Sequence, residues 1–462
     1  MAIPKAGAEP LDDLGRFLAP FAVLLRRAES RNALERYATG LLSDVGRKTA
    51  SDLGRSLPGT NGQRLQELLT RTNWDARELD RMRIAHLLRE ASVGEGVLIV
   101  DDTGFAKKGA HSVGVARQYS GTLGRVDNCQ VVVSAHYVDR VFDWPITARV
   151  YLPEIWAEDR QRREKAHVPP SVRFQTKGQI ALDLVDFARE ASIAARAVVL
   201  DAGYGDQPLV LDGLEGRTLP YVVGVAVTTR FRCAAAVEGD SGESVRPSYS
   251  GRGRPRRPST LLERVPPATV EALGNSLPCE AWQQVAWREG TKGSLVKQCA
   301  RLRVYRTAQR GKAHGSAGWL LFERPLPGHT GDKKHYFVWG LDTHSLEELI
   351  DLAHVRWVIE RFYEDAKGEL GMDDYEGRLW TGLHRHLALV MLTHSYLTLR
   401  QSYGPEILAR PPGATGGPTP QGSAPPPARG FPPKGPRQHR RPPPRRADRA
   451  VSAGHPNRRP SP

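Results

Sequence analysis

The sequence predicts an α/β fold in which an α/β core is interrupted by a β-rich insertion and preceded by a helical N-terminal domain. Apolar residues recur at helical spacing up to residue 94, whereas short unbroken apolar runs begin at residue 97. These runs alternate with an amphipathic helix, and a polar, β-like stretch separates them from two further helices. Strands that come first and then alternate with helices are the pattern of an α/β core.

This pattern divides the chain into five segments. They are a helical N-terminal domain at 1–94, the first part of the core at 95–228, the β-rich insertion at 229–345, the core helices at 346–403 and a Pro/Arg-rich tail at 404–462. In the first segment, Leu14, Phe17 and Leu18 begin a repeat at three- and four-residue spacing, which is typical of an amphipathic helix.

Short apolar runs predict the buried strands of the core. VLIV ends at Asp101, AVVL ends at Asp201, and YVVGVAV at 221–227 is a third run. The insertion offers LRVYRT, WLLFER and HYFVWGL as further strands. One helix is predicted from about Ser345 to Leu370, and another at roughly 380–400.

The formal charge of +15 is concentrated in the tail. From Arg410 onward the net charge is +10, so residues 1–409 carry only about +5. From Arg410 onward the chain also holds 16 of the 35 prolines and almost no large apolar residues, so we predict that the tail is disordered. DNA binding must therefore be argued from local features rather than from the total charge.

The composition excludes several other classes of protein. The four cysteines form no C-x-x-C pair, which argues against a zinc cluster or a disulfide framework. The start of the chain lacks a basic segment followed by an apolar run, and the apolar stretch around Ala388 to Leu399 is broken by polar residues. We expect no signal peptide, no membrane span and a reducing cytoplasm.

Two aspartates follow predicted strands directly, so the Asp101 and Asp201 carboxylates are expected at one edge of the sheet. Two-metal phosphoryl chemistry needs such carboxylates, because cations about 3.5–4 Å apart activate the attacking oxygen and stabilise the leaving oxygen. Either residue alone could instead be a turn or helix-capping aspartate. Asp102 stays open as the alternative first acid.

A third acid is predicted on the helix that closes the core. Its buried stripe is formed by Val355, Ile359, Phe362 and Ala366. The adjacent stripe carries Arg356, Glu360 and Lys367, so Glu360 lies at a boundary where it can meet the sheet edge. The alternative is a solvated surface ion pair between Arg356 and Glu360, worth only a few tenths of a kcal/mol.

Three motifs in this order resemble those of bacterial insertion-sequence DDE transposases, specifically the 701-type group. They are VDDTGFAKKG, LDAGYGD and the helical R-x3-E-x6-K pattern of Arg356, Glu360 and Lys367. The resemblance covers about residues 10–409 and implies an RNase H-like core with a β-rich insert between the second Asp and the Glu. The separation of 159 residues between Asp201 and Glu360 leaves room for it. One departure is Ala353, where the wider superfamily usually has Tyr.

The resemblance implies roles for these residues. Asp101, Asp201 and Glu360 become the catalytic, metal-binding acids of a two-metal Mg²⁺ site, with Mn²⁺ as a substitute. The implied partners are the terminal inverted repeats of the element and target DNA. The N-terminal domain is a candidate for DNA binding, and the protein is expected to act as a homodimer on DNA. The expected location is the bacterial cytoplasm, at the nucleoid. The predicted DNA contacts are Arg356, Lys367, Lys107, Lys108 and, in the GRGRPRRP segment that resembles minor-groove hooks, Arg252 and Arg254.

The sequence therefore predicts a DDE transposase that cleaves its element ends and transfers the strands to target DNA. One alternative is a catalytically silent or repurposed DNA-binding derivative, and another is an RNase H-type nuclease without strand transfer. The tail could bind nucleic acid nonspecifically or be a frameshifted, non-functional terminus.

Overall fold

Helices occupy the described part of the N-terminal segment, as the apolar periodicity predicts. The computed structural model describes residues 10–90, 95–141, 143–240, 264–290, 293–307 and 315–403. The first helices are α1 (Asp12–Leu18), α2 (Ala28–Leu42), α3 (Ala50–Ser56), α4 (Gly62–Thr70) and α5 (Ala76–Glu90), with a 3₁₀ turn at Ala19–Leu24. Thr49 and Asn61 cap α3 and α4, because each side chain accepts a hydrogen bond from a backbone N–H of the first turn.

The described strands form one mixed sheet. In chain order they are β1 (Gly96–Ala106), β2 (Ala116–Ser120), β3 (Arg125–Val138), β4 (Asp143–Val150), β5 (Ala195–Leu200), β6 (Tyr221–Gly224), β7 (Arg230–Cys233), β8 (Ala268–Thr269), β9 (Gln283–Gly290), β10 (Gly293–Arg306), β11 (Ala317–Arg324) and β12 (Lys334–Trp339). Their order across the sheet is β2-β3-β1-β5-β6-β12-β11-β10-β7-β8, with β4 beside β3 and β9 beside β10.

The centre of this sheet is parallel and its flanks are antiparallel. Strand β5 pairs in parallel with both β1 and β6, whereas β3 and β12 join on either side in antiparallel register. All three strands predicted at 229–345 are present, as β10, β11 and β12. The third core strand is shorter than predicted, because pairing with β12 ends at Gly224. The fold is mixed α/β, as predicted.

The remaining helices cover the sheet. They are α6 (Glu154–Ala157), α7 (Arg160–Lys165), α8 (Lys177–Glu190), α9 (Ala202–Gly205), α10 (Pro208–Gly216), α11 (Ala234–Glu238), α12 (Val270–Asn275), α13 (Leu346–His354), α14 (Trp357–Gly368) and α15 (Trp380–Tyr403). Helix α15 packs against β4 and against three of the N-terminal helices, α2, α4 and α5. Its residues 387–393 are all buried, as expected of a helix that is apolar on every side.

The described residues belong to one compact unit that spans Met1–Gln421. The division into five segments stays a prediction. The tail from residue 404 and the GRGRPRRP segment, with Arg252 and Arg254, lie outside the described residues. Within the described part of the chain, no helix combines the length and apolar character needed to cross a bilayer.

His386 has a structural role at the contact of α15 with the N-terminal helices. It is fully buried, and its Nδ1 atom lies 2.8 Å from the Tyr37 hydroxyl. Its Nε2 atom lies 3.1 Å from the Gly371 carbonyl oxygen, so a neutral ring donates from Nε2 and accepts at Nδ1. Burial lowers the pKa of His386 to about 4, and the two backbone carbonyls only partly oppose this shift.

This low pKa predicts loss of stability in acid. An unfolded His386 takes up its proton near its ordinary pKa of 6.5, whereas the folded residue does so only near 4. Stability is therefore retained above pH 6.5 and lost between pH 6.5 and 4, by about 1.4 kcal/mol per pH unit for this residue. Urea unfolding across this range should give a shallower pH dependence for His386→Gln. The exposed His111→Gln control should keep the wild-type slope, and equal slopes for all three proteins would contradict the prediction.

Candidate active site

The register of β1 and β5 places Asp101 and Asp201 beside each other. Parallel pairing of the two strands ends at Val100 and Leu200, so the two aspartates are the next residues on neighbouring strands. Asp201 leaves the sheet and caps α9, where its Oδ1 accepts a hydrogen bond of 2.9 Å from the Gly203 N–H. The two aspartates are therefore neighbours where the parallel pairing ends, as predicted.

The strand before Asp101 is longer than predicted. It does not end at Asp101, because β3 continues to pair with β1 as far as Ala106. Asp101 and Asp102 are therefore consecutive residues inside a strand, and their side chains point to opposite faces of the sheet. This alternation gives the two candidate first acids different partners.

Asp101 faces α14 and Asp102 faces α8. Asp101 is 6% exposed, and its Oδ2 accepts a hydrogen bond of 2.7 Å from Arg356 Nη1. Both oxygens of Asp102 instead accept from Lys177 Nζ, at 3.1 and 3.0 Å. Only Asp101 lies on the face of the sheet that carries Arg356.

Arg356 links two of the predicted acids. Its second guanidinium nitrogen lies 2.5 Å from Glu360 Oε1, so one side chain bridges Glu360 and Asp101. The ion pair between Arg356 and Glu360 is present, as the alternative interpretation of this helix requires. It is more than a surface pair, because the same guanidinium reaches a buried carboxylate of the sheet. The Glu360 side chain itself is 54% exposed.

The prediction of a single helix from Ser345 to Leu370 is wrong in one respect. It consists of α13 and α14, joined by Val355 and Arg356. The backbone stays right-handed at both residues, but Val358 N–H donates to Val355 and Ile359 N–H to Arg356, each three residues back. Because hydrogen bonds between residues three apart wind the backbone more tightly, the side chains after this joint point in directions that differ from those of one continuous helix.

Burial dominates the electrostatics of the two aspartates. It raises the pKa of Asp101 to about 7, where Arg356 opposes the shift and Asp201 adds to it. Burial also raises the pKa of Asp201, again opposed by Arg356 and assisted by Asp102. Neighbouring buried carboxylates favour protons unless more positive charge joins them.

Comparisons with known proteins show the family of this chain. Residues 20–294, more than half of the chain, match the model of a family described as DDE superfamily endonuclease. The chain belongs to this family. The matched residues include Asp101, Asp102 and Asp201 and end before Glu360. A curated relative, described as a probable transposase for insertion sequence element IS701 from Microchaete diplosiphon, is 27% identical over 226 residues. That alignment covers 49% of this chain and 57% of the relative, so the chain spans little more than half of the relative's length.

Three residues near the acids were not predicted from the sequence. Besides Lys177, Tyr363 donates a hydrogen bond of 3.1 Å to the Asp101 carbonyl oxygen, and its own hydroxyl lies 2.7 Å from Ser134 Oγ. Tyr204 is 2% exposed, and its hydroxyl has no hydrogen-bond partner among the described residues. Sequence signals existed for both tyrosines, because Tyr204 lies in LDAGYGD and Tyr363 lies three residues after Glu360.

The predicted lysine contacts lie in different environments. Lys367 Nζ donates to Thr103 Oγ1 at 2.6 Å and to the Gly104 carbonyl at 3.2 Å, beside the acids. Lys107 Nζ donates to the carbonyls of Asp373 and Tyr375, at 3.0 and 2.8 Å, so its charge already has backbone partners. Lys108 is exposed.

DDE enzymes use divalent metals, so the acids must be tested as metal ligands. No group of three or more His, Cys, Asp or Glu side chains among the described residues is arranged to hold a metal ion. Asp101 and Asp201 nevertheless fit a hard divalent cation, because carboxylate oxygens are its preferred ligands. Burial raises the pKa of Tyr204, whose hydroxyl has no hydrogen-bond partner among the described residues. The charges of Asp102, Asp101 and Asp201 raise this pKa further, so the hydroxyl lies close to the acids. Glu360 can join only if Arg356 releases it.

Proposed function

We propose that this protein is a DDE transposase with an RNase H-like core, which cleaves the ends of its insertion sequence and transfers the strands to target DNA. The observation that carries the proposal is the arrangement of Asp101 beside Asp201 with Arg356 joining Asp101 to Glu360. Family membership and the similarity to a probable transposase support the same chemistry.

In this mechanism Asp101, Asp201 and Glu360 would hold two Mg²⁺ ions, or Mn²⁺ as a substitute. When bound, such a pair activates an attacking water or 3′-hydroxyl and stabilises the leaving oxygen of the phosphodiester. Asp101 and Asp201 would provide the fixed ligands, since Asp101 is held within β1 and Asp201 at the cap of α9, and each carboxylate accepts a backbone N–H. Glu360 is the adjustable ligand, because its side chain is exposed and held by a single arginine.

The surrounding residues position these acids. Tyr363 fixes the backbone of Asp101 through its hydroxyl, and Lys177 keeps the Asp102 carboxylate on the opposite face of the sheet. Once Arg356 has released Glu360, the guanidinium nitrogen that held Glu360 can donate to the DNA phosphate that brings the scissile bond to the acids, while the other still holds Asp101. Lys367, next to Thr103 on β1, is placed for a neighbouring phosphate.

The proposed partners are the terminal inverted repeats of the element and a target duplex. Two ends must be cut together, so the enzyme is proposed to act as a homodimer on DNA. Lys108 is an exposed candidate for a phosphate contact, and Arg252 and Arg254 remain candidates for the minor groove.

Cleavage by the wild-type protein and by Glu360→Gln tests this function. The substrate is a labelled duplex that carries the DNA bracketing the gene, incubated with Mg²⁺ or with EDTA. Wild type should cleave only with Mg²⁺ and should yield strand-transfer products with a second duplex. Glu360→Gln should lower the cleavage rate by at least about 10²-fold, equivalent to about 2.7 kcal/mol of transition-state stabilisation.

The control is Glu190→Gln, which makes the same change at an exposed position at the end of α8. It should cleave like wild type. Equal cleavage by Glu360→Gln and wild type would remove Glu360 from the site. Cleavage without transfer products would indicate a nuclease, and binding without cleavage by wild type would indicate a silent, DNA-binding derivative.

A further inference from the structure

A cavity of about 680 Å³ lies apart from the three acids, between the N-terminal helices and the edge of the sheet. Its walls come from the start of α5, the end of β4, the loop before α8 and the start of α15. Trp74 and Trp380 contribute apolar surface, and Arg77, Arg149 and Arg173 contribute positive charge.

Two of these arginines have no partner. Within the described residues, neither Arg77 nor Arg149 makes a hydrogen bond or ion pair; Arg77 only packs its guanidinium over the Phe187 ring, at 5.0 Å. Arg173, which is exposed, donates to the Pro170 carbonyl at 2.6 Å. Arg149 is half-buried, whereas Arg77 is exposed. A half-buried guanidinium such as that of Arg149 is seldom left without an acceptor, because burial without a hydrogen bond costs free energy.

The carboxylates around the cavity are already engaged. Asp80 accepts hydrogen bonds from Arg83 at 3.0 Å and from Thr147 at 2.7 Å. Asp75 accepts from the Glu78 N–H at 2.9 Å, and Asp183 accepts from Gln175 at 2.8 Å. The positive charge of Arg77 and Arg149 therefore remains available to an anion from outside.

The environment of Arg149 also favours an added anion. Burial lowers the pKa of Arg149, and the neighbouring Arg77 lowers it further, while Asp183 and Asp80 oppose the shift. His384, on the same wall, contributes no free donor: its Nδ1 lies 2.9 Å from the Trp380 carbonyl oxygen, and its Nε2 accepts from the Val150 N–H. A bound anion would therefore be recognised by the arginines.

The sheet register relates this cavity to the acids. Arg149 pairs with Val133, and Val133 pairs with Asp102, so the three residues form one row across β4, β3 and β1. Two strand spacings of about 4.8 Å separate the ends of this row by about 10 Å. Residues paired directly across strands share a face, so Arg149 lies on the face of Asp102, opposite the face that carries Asp101 and Arg356.

We infer that Arg77 and Arg149 form a phosphate site, which takes a backbone phosphate of bound DNA at a distance from the three acids. The choice of DNA as the source of the phosphate rests on the proposed function. The recognised chemistry is an anionic phosphate, shared by DNA and by free inorganic phosphate. The site positions the strand and carries no sequence information by itself.

The salt dependence of DNA binding tests this inference. The variants are Arg149→Gln and, as a second probe, Arg77→Gln, with the exposed Arg189→Gln as a control of equal charge change. Binding of a fluorescein-labelled duplex carrying the DNA that brackets the gene is measured at several salt concentrations. Each lost phosphate contact should reduce the slope of log K against log salt by about 0.9.

We expect Arg149→Gln and Arg77→Gln to bind severalfold more weakly and with the reduced slope, while Arg189→Gln keeps the wild-type slope. Unchanged slopes for both cavity variants, or an equal reduction in Arg189→Gln, would overturn the inference. The unfolding midpoint of each variant in chloride separates these results from misfolding.

A second arm distinguishes the source of the phosphate. The unfolding midpoint of wild type and Arg149→Gln is compared in inorganic phosphate and in chloride at equal ionic strength. Stabilisation by phosphate that is lost in Arg149→Gln, combined with unchanged DNA slopes, would make this a free-anion site and overturn the assignment to DNA. If wild type binds the duplex with the predicted slopes but never cleaves it, the proposed function fails while the phosphate site stands.

Discussion

Asp101→Asn is expected to lower metal-dependent cleavage by about 10³-fold or more, whereas Asp102→Asn should stay within about tenfold of wild type. The loss for Asp101 corresponds to about 4 kcal/mol of transition-state stabilisation, the scale of a lost metal ligand. The two variants differ because the side chains lie on opposite faces of β1: Asp101 accepts a hydrogen bond from Arg356, whereas Asp102 accepts from Lys177. Single-turnover cleavage of a labelled element end in Mg²⁺ gives both rates.

Two controls separate a catalytic effect from a loss of folding. Asp332→Asn makes the same change at an exposed position before β12 and should cleave like wild type. Unfolding midpoints of all variants show whether a slow variant is folded. Loss of activity in Asp102→Asn together with retention in Asp101→Asn would reverse the assignment of the first acid.

Arg83→Met is expected to lower the free energy of unfolding by about 3–5 kcal/mol, the cost of breaking a buried ion pair from one side. Arg83 is 0% exposed and donates to the Ile146 carbonyl at 2.6 Å, to the Pro145 carbonyl and to Asp80 at 3.0 Å. It therefore joins α5 to β4. Burial raises the pKa of Asp80, and the charge of Arg83 opposes this shift. The Arg83→Met variant therefore leaves the buried Asp80 carboxyl without its charge partner.

Urea unfolding at pH 7 measures this loss. Arg81→Met, on the same helix, is the matched control: its ion pair with Glu78 is about half exposed, and such pairs contribute about 0–1 kcal/mol. The double variant Asp80→Leu, Arg83→Met should recover part of the stability, because it removes the stranded carboxyl. A loss in Arg83→Met no larger than in Arg81→Met would contradict the structural role.

The elements of the fold could be predicted because they follow from local patterns. The helical repeat before residue 94 and the apolar runs ending at Asp101 and Asp201 depend on side chains only a few residues apart. The end of β1 could not be predicted in this way. Its extension to Ala106 depends on pairing with β3, which begins 19 residues later. The RNase H-like assignment and the insertion stay predictions.

The sequence by itself determined the mixed α/β class, the family resemblance and three acids in order along the chain. Only the tertiary structure decided that Asp101 and Asp102 have different partners and that Arg356 bridges Asp101 and Glu360. It alone also placed the unpaired Arg77 and Arg149 in one cavity. The physical reason is that these contacts join residues far apart in the chain, so strand register and helix packing set them, and no local periodicity encodes either.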